Sequence, residues 1–384
     1  MMKIVIYDPL YANIGHFYRY NIFLVEILSS LDEVASIEII GSDSKLKNLS
    51  DISDKVTVTP IEQVEDIQIL SLKAKGAQKI FLAFDLFKQY MRVIKYLNRS
   101  AKDTIILFPS QGQLPFWLAA KFLKRKYYVS AISTRWFFSS TIFQQFLKSL
   151  FVSFLKKSEL CLFTEVIYKN NAEKLGILKT LVMPDRYLKK GEALLKQGDG
   201  NKKIRLTTLG TISNDKNPIK FINALSAIDK DILSTIEYYI AGKVIDDCKI
   251  ELEKAIRGQD WINFEDNYIS AEKYEELIAG TDFLVIPYPT EYTKYLTSGV
   301  MWDCFERKKA IICPESELFG YYINNYQIGY LYNEQKMGEL FKSIIAQKTS
   351  FFKQLNDNYQ LLTSDFSKQK LTDDFEKALT GRNK

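Results

Sequence analysis

The chain has 384 residues, 47% of them apolar and 26% charged, with a net charge of +6. It is too apolar for a disordered chain and too long for one ordinary core, so two globular domains are expected. Four cysteines without a CxxC pair and a single histidine exclude a disulfide framework and a zinc site and fit a reducing cytosol.

The opening MKIVIYDPL reads as a first β-strand rather than a signal peptide, because its apolar run stops at Asp8 and Pro9. Further apolar runs predict strands at Ser36–Ile40, Val56–Thr59, Thr104–Phe108, Tyr127–Ile132, Leu160–Phe163 and Thr180–Met183. Amphipathic helical patterns fall between most of them, which predicts a parallel sheet covered by helices. The run from Trp136 to Leu155 is the nearest approach to a membrane span, but Gln144, Gln145, Lys148 and Ser149 interrupt it. Phe143, Phe146, Leu147, Leu150, Phe151 and Phe154 follow helical spacing. They fit a helix packed on the first sheet; with Trp136, Phe137, Phe138 and the neighbouring lysines they also fit an interfacial surface. Residues 119–203 carry 17 Lys/Arg against 6 Asp/Glu, a net of +11. That block suits an anionic partner, or simply a solvated lysine-rich surface.

Residues 186–203 are polar, with glycines, and read as a linker between a domain at 1–185 and one at 204–345. The tail at 346–384 is helical in pattern and is expected to return to the first domain. The second domain repeats the alternation, with strands predicted at Ile204–Leu209, Ser234–Ala241, Ile262–Phe264, Phe283–Ile286, Ala310–Ile312 and Ile328–Tyr330. In open parallel sheets ligands bind beyond the carboxyl ends of the strands, so residues just after strands are the site candidates. Lys216 follows the first of these strands and precedes a helix, where a phosphate would be favoured. Thr297-Ser298-Gly299 follows Phe283–Ile286 and opens a helix; it offers hydroxyls, N–H groups and close backbone approach. Asp303, about one turn further on, could accept hydrogen bonds from a ribose diol. Taken singly, these are also an ordinary solvated lysine, a helix N-cap and a surface acid.

Their order along the chain resembles the GT-B glycosyltransferases, nearest to glycosyltransferase family 4 and its relatives. The family's strand followed by G-R-x-x-x-x-K-G is matched by Gly210 to Asn217, with Lys216 at the lysine. Its hhG.G is matched at Tyr239 to Gly242, its aDhhhhPS at Gly280 to Pro287, and its EAMAxGKPVI at Asp303 to Ile312. The resemblance spans about residues 204–331. It implies two Rossmann-like domains facing a cleft, the GT-B architecture. It also implies metal-independent transfer of a sugar from a nucleoside diphosphate sugar, with no separate cofactor, to a saccharide or lipid-linked acceptor in surface polysaccharide or capsule assembly. Gly210, Thr211, Lys216, Tyr295, Thr297, Ser298, Gly299 and Asp303 would hold the donor. Two positions depart from the family: Thr211 stands at its arginine, and Tyr295 stands eight residues before Asp303, at its first acid.

Related enzymes carry a glycine-rich turn after their first strand, where this chain has Gly15 and His16. His16, able to titrate near neutrality, is a candidate general base for an acceptor hydroxyl; Asp8 is its rival. Ser110 and Gln111, after the strand ending at Phe108, join Gly15 on the acceptor side. The resemblance implies a cytoplasmic protein with peripheral contact at the inner membrane leaflet; the basic block has no recognisable nucleic-acid module, so no nucleic-acid partner is expected. The departures keep open a second class, a non-catalytic GT-B subunit that binds substrate or stabilises a partner glycosyltransferase.

Overall fold

The computed structural model describes residues 1–9, 16–41, 49–61, 76–110, 114–138, 141–190, 203–216, 218–245, 248–294 and 296–380. They form two compact units, Met1–Tyr187 with Phe366–Lys384, and Leu188–Asp365.

The first unit is built on a seven-stranded sheet, β1 (Met2–Tyr7), β2 (Val34–Gly41), β3 (Val56–Pro60), β4 (Ile105–Phe108), β5 (Tyr127–Ala131), β6 (Leu160–Phe163) and β7 (Thr180–Val182). The spatial order is β3-β2-β1-β4-β5-β6-β7, and every pairing is parallel. Central strands such as β4 and β6 are buried along their whole length, which is why they read as continuous apolar runs rather than alternating ones. On one face the helix His16–Ser29 buries Tyr20, Phe23, Leu24, Ile27 and Leu28 in a core that also takes Leu371 and Phe375 from the last helix, Lys368–Thr380. On the other face Tyr90 of the helix Ala77–Leu97, Phe116 of Leu114–Ala120 and Phe154 of Ile142–Lys156 form a chain of edge-on rings with Phe108.

The second unit has a six-stranded parallel sheet, β8 (Ile204–Leu209), β9 (Ile236–Ala241), β10 (Ile262–Glu265), β11 (Phe283–Val285), β12 (Ala310–Pro314) and β13 (Gly329–Tyr332), in the order β10-β9-β8-β11-β12-β13. Both sheets are therefore of the Rossmann type, and each predicted strand has its counterpart. The tail is two helices, not one. Met337–Asp365 stays with the second unit, through Phe351 and Phe352 against Phe283 and the Tyr359 hydroxyl donating to the Lys309 carbonyl at 2.5 Å, and only the segment from Phe366 joins the first. Within the expected linker, residues 191–202 lie outside the described set.

Each strand order reverses once, between β1 and β4 in the first sheet and between β8 and β11 in the second. Helices leave to opposite faces at such a point and a crevice opens beyond the strand ends. The two switch points are thus the places where the topology itself prepares a site.

Candidate functional site

At the first switch point, Asp8 follows β1 and Ser110 follows β4. Ser110 Oγ donates to Asp8 Oδ1 at 2.6 Å, and Asn21 Nδ2, one turn and more into the first helix, donates to Asp8 Oδ2 at 2.8 Å. Asp8, Asn21 and Ser110 are all buried. The Tyr90 hydroxyl donates to the Pro9 carbonyl at 3.1 Å, tying the same turn to the opposite helical face. Tyr20, beside Asn21 in sequence, shares a 2.7 Å hydrogen bond with Ser130 at the end of β5. Burial pushes the Tyr20 phenol well above its usual range. The carboxylate of Asp8 thus holds together β1, β4 and the helix His16–Ser29. His16 is the first residue of that helix; its side chain, together with Gly15 and Gln111, lies outside the described residues.

At the second switch point, the chain leaves β8 through Gly210, whose φ of +101° lies in the region that favours glycine. The neighbouring strand β9 ends at Gly242, where a Cβ would sit 1.8 Å from the Gly210 carbonyl oxygen. The two glycines thus let the loops after β8 and β9 run in contact, and Ile212 and Val244 extend the pairing by one bridge. A Cβ on Gly210 would stand 3.7 Å from Val300 Cγ2, so this turn lies over the start of the helix Gly299–Glu306. Thr211 is exposed in the same turn.

Lys216 ends a short 3-10 turn, Asn214–Lys216, just before the helix Ile219–Ser226. Its Nζ stands 5.5 Å from the ring centre of Tyr288 and 5.7 Å from that of Tyr292, within the range of cation–π attraction. Tyr288 follows β11 and is buried; burial raises its phenol well above the usual range, and a hydrogen bond with the Ser298 side chain opposes that rise. Ser298 also caps the helix Gly299–Glu306, its Oγ accepting from the Met301 N–H at 3.2 Å. One tyrosine therefore touches both Lys216 and the residue that starts the helix. Thr297 and Ser298 are buried and Gly299 is half-buried. The positive end of a helix and an ammonium group stand around one turn, an arrangement that attracts a phosphate.

Asp303 lies one turn into that helix. Its Oδ2 accepts from the Tyr274 hydroxyl at 2.8 Å, and its Oδ1 is 3.8 Å from Arg307 Nη1. Arg307 also donates through Nε and Nη2 to the two carboxylate oxygens of Glu275. Burial, and then the charge of Asp303, hold the Tyr274 phenol far above its usual range, so it remains a hydrogen-bond donor. The acid is therefore a framed group in a partly buried network, and not a freely solvated one. Tyr295 lies outside the described residues. Among the described residues no group of three or more His, Cys, Asp or Glu side chains could hold a metal ion, and the four cysteines are free and buried.

Sequence spacing brought out Lys216, the Thr297–Gly299 turn and Asp303, which the fold gathers at one switch point, and Asp8 and Ser110, which it gathers at the other. It missed Asn21, Tyr274, Tyr288, Tyr292 and Arg307. Asn21 carried a signal, an uncharged amide inside an apolar helix face, and Arg307 stands four residues after Asp303. Tyr274 had none: it reaches Asp303 from a different helix, Ala271–Ala279, 29 positions away.

No family model matches the chain, and no curated protein matches it. Solved structures do match along its full length. The Anabaena protein HepE in complex with UDP is 13% identical over all of both chains, with a TM-score of 0.64. A glycosyltransferase from Rickettsia africae is 13% identical over 99% of each chain, with a TM-score of 0.61. A variant of S. aureus TarM in complex with Fondaparinux, alpha-GlcNAc-glycerol and UDP is 9% identical over 99% of this chain and 100% of that one, with a TM-score of 0.66. At these identities the likeness shows the fold, which is GT-B.

Proposed function

We propose that the protein is a metal-independent glycosyltransferase. It moves a sugar from a nucleoside diphosphate sugar to a saccharide or lipid-linked acceptor in surface polysaccharide or glycoconjugate assembly. The observation that carries the reading is the second switch point, where Lys216, the Ser298-capped helix and the glycine pair Gly210 and Gly242 surround one turn. The full-length likeness to structures solved with UDP supports it.

In this reading the bond from the sugar's anomeric carbon to the diphosphate oxygen breaks as the bond to the acceptor oxygen forms. The departing diphosphate gains negative charge, which the Lys216 ammonium and the N–H groups at Gly299 offset. Thr211, Thr297 and Tyr295 contribute to donor binding in this scheme, and Asp303, framed by Tyr274, takes the ribose hydroxyls. The acceptor hydroxyl loses its proton to His16. In this reading Asp8, whose two oxygens already accept from Asn21 and Ser110, braces the helix that begins at His16, with Gly15 and Gln111 on the acceptor side. The protein works in the cytoplasm, with a lipid-linked acceptor at the inner membrane face. No cofactor beyond the donor substrate enters the scheme.

The test is calorimetric titration with UDP, GDP, CDP and TDP, without metal and then with magnesium, on the native chain and on Lys216→Ala. Preferential binding of one diphosphate, weakened about tenfold or more by the substitution, is the expected result. A folded protein that binds none of them would overturn the reading. Thr211, without the family arginine's charge, favours a second reading as a non-catalytic subunit of a partner glycosyltransferase. In that case turnover in the assembled pair would be unchanged by Lys216→Ala.

A further inference from the structure

The second unit has a hollow that the donor turn does not use. It lies where the helix Glu317–Tyr326 ends, β13 begins and the middle of Met337–Asp365 passes by. Its volume is about 420 Å³, within the range of small-ligand sites. Gly329, the first residue of β13, lines it, so the hollow is at the amino edge of the parallel sheet. Lys216 and Ser298 lie beyond the carboxyl ends of β8 and β11, at the opposite edge.

Its lining is polar without charge. Asn324 and Gln327 come from the end of the first helix, Tyr330 from β13, and Gln347, Ser350 and Gln354 from the long helix. None of the residues that line it is charged, although 26% of the chain is. On the long helix Gln347, Ser350 and Gln354 fall three and four residues apart, on one face. Ile344, Leu355, Tyr359 and Leu362 form the adjoining stripe and are buried, with Phe351 at the seam. The helix thus turns its apolar stripe to the core and its amides to the hollow. Among the described residues, the side-chain amides of Asn324, Gln327, Gln347 and Gln354 have no partner within the protein.

The corner between helix and strand holds one side chain there at a cost. Gln327 has φ +51° and ψ +41°, the left-handed conformation in which glycine is the usual helix ending. Two residues on, glycine is required, because a Cβ on Gly329 would overlap the Ile311 carbonyl oxygen. Glycine therefore stands where backbone crowding demands it, and glutamine stands where glycine would be easier. The strained glutamine lines the hollow, as residues held in sparse conformations often line sites. The corner is also tied down. The Gln327 N–H donates to the Ile323 carbonyl at 2.8 Å, Asn358 Nδ2 donates to the Gln327 carbonyl at 3.1 Å, and the Tyr326 hydroxyl donates to Asp365 Oδ2 at 2.7 Å. The two helices that wall the hollow are thus bonded to each other, which makes it preformed.

Carboxamides and hydroxyls each offer both donors and acceptors. A ligand that satisfies several of them must do the same at closely spaced positions and without charge, as the hydroxyls of a sugar ring do. The half-buried rings of Tyr330 and Phe351, 4.9 Å apart, add an apolar wall whose negative face suits the C–H side of a pyranose. A phosphate finds no cation in this lining. A peptide strand finds too little of β13, since only Gly329 and Tyr330 of its four residues line the hollow.

We propose that this hollow is a second saccharide site, which holds a stretch of neutral glycan away from the donor turn. The site stands on its own lining; its use, holding a glycan chain remote from its reacting end, rests on the transferase reading above.

The test is calorimetric titration of the full chain with maltohexaose, cellohexaose, chitohexaose and the acidic hexagalacturonate, at low and high salt. Two variants are compared, Gln347→Ala with Gln354→Ala, and Gln327→Gly, with thermal melting and size-exclusion chromatography on each. The expected result is binding of a neutral hexasaccharide that salt does not change. Its dissociation constant should rise about tenfold in the double variant and about threefold in Gln327→Gly. Gln327→Gly should at the same time melt higher, since glycine relieves the left-handed corner. Lys216→Ala should bind the saccharide as the native chain does. No binding of any neutral hexasaccharide, a preference for the acidic one, or equal binding by both variants and the native chain would overturn the proposal. A native oligomer that the double variant converts to monomers, without saccharide binding, would assign the hollow to a second copy and overturn it too. Saccharide binding that the variants weaken, in a protein that binds no nucleoside diphosphate, would keep the site and remove the transferase reading instead.

Discussion

At the carboxyl end of β1, Asp8 is buried and takes hydrogen bonds at both oxygens from neutral partners, Asn21 and Ser110. At the equivalent end of β8, Lys216 is half-buried and stands over two tyrosine rings, beside a helix that begins at Ser298. The sheets share one strand order around these points, yet one point closes its polar groups on itself and the other gathers positive potential toward a turn of glycine backbone. A topological switch point is therefore a place and not a chemistry. Hydrogen bonds to a buried carboxylate make a clamp between elements; an ammonium on aromatic faces near helix N–H groups makes a region of positive potential.

The largest effect expected is at the glycine contact. Gly242→Ala would force a methyl against the Gly210 carbonyl at a φ of +155°, and destabilisation of about 3 kcal/mol or more is expected in denaturant unfolding. An unchanged unfolding midpoint would mean that the two loops separate without cost. Next comes the clamp. Asp8→Ala strands the buried donors of Asn21 and Ser110 and is expected to cost about 2–4 kcal/mol, with nucleoside diphosphate affinity in the second unit unaltered. Coupled loss of both would erase the distinction between the two switch points.

Tyr274→Phe is a smaller change. It removes one hydrogen bond to Asp303, about 1 kcal/mol of stability. UDP should bind more weakly, whereas inorganic diphosphate should bind the variant and the native chain equally. Equal losses for both ligands would place Asp303 on the phosphate side rather than on the ribose.

The smallest concerns Asp266, which ties the turn after β9. It accepts from Lys249 Nζ at 2.7 Å, the Val244 N–H at 2.9 Å and Lys243 Nζ at 3.1 Å, and these hold its carboxyl far below the usual carboxylate range. A depressed folded-state pKa contributes stability above the unfolded value, about 4, that is lost as pH falls from there toward the folded value. The difference in melting temperature between the native chain and Asp266→Asn should therefore narrow between about pH 5 and about pH 2. A constant difference across that range would show that the bonds do not depend on the charge.

The thirteen strands among the described residues were legible because a sheet buried on both faces selects continuous apolar runs, and such runs are local in the chain. That Gly210, Lys216, Ser298 and Asp303 would come together was legible for a related reason: in a parallel α/β unit, the residues that follow strand ends meet at one edge of the sheet. The sequence could not assign the tail, because where helix Met337–Asp365 stops and the last helix crosses back depends on which core each apolar face meets. Nor could it tell which face of Ile142–Lys156 is buried. Leu147, Phe151, Phe154 and Leu155 turn inward while Ile142, Phe143 and Phe146 stay outside, a choice made by the neighbouring helix and not by hydropathy.

What the sequence determined by itself is the alternation of strands and helices, the two domains and the residues that follow the strands, since each rests on short-range periodicity. Which polar groups meet was decided only by tertiary structure. Tyr274 finds Asp303, and Tyr288 finds both Lys216 and Ser298, through the packing of elements distant in the chain; side-chain partners at such separations are set by the geometry of the sheet, and no local pattern encodes them.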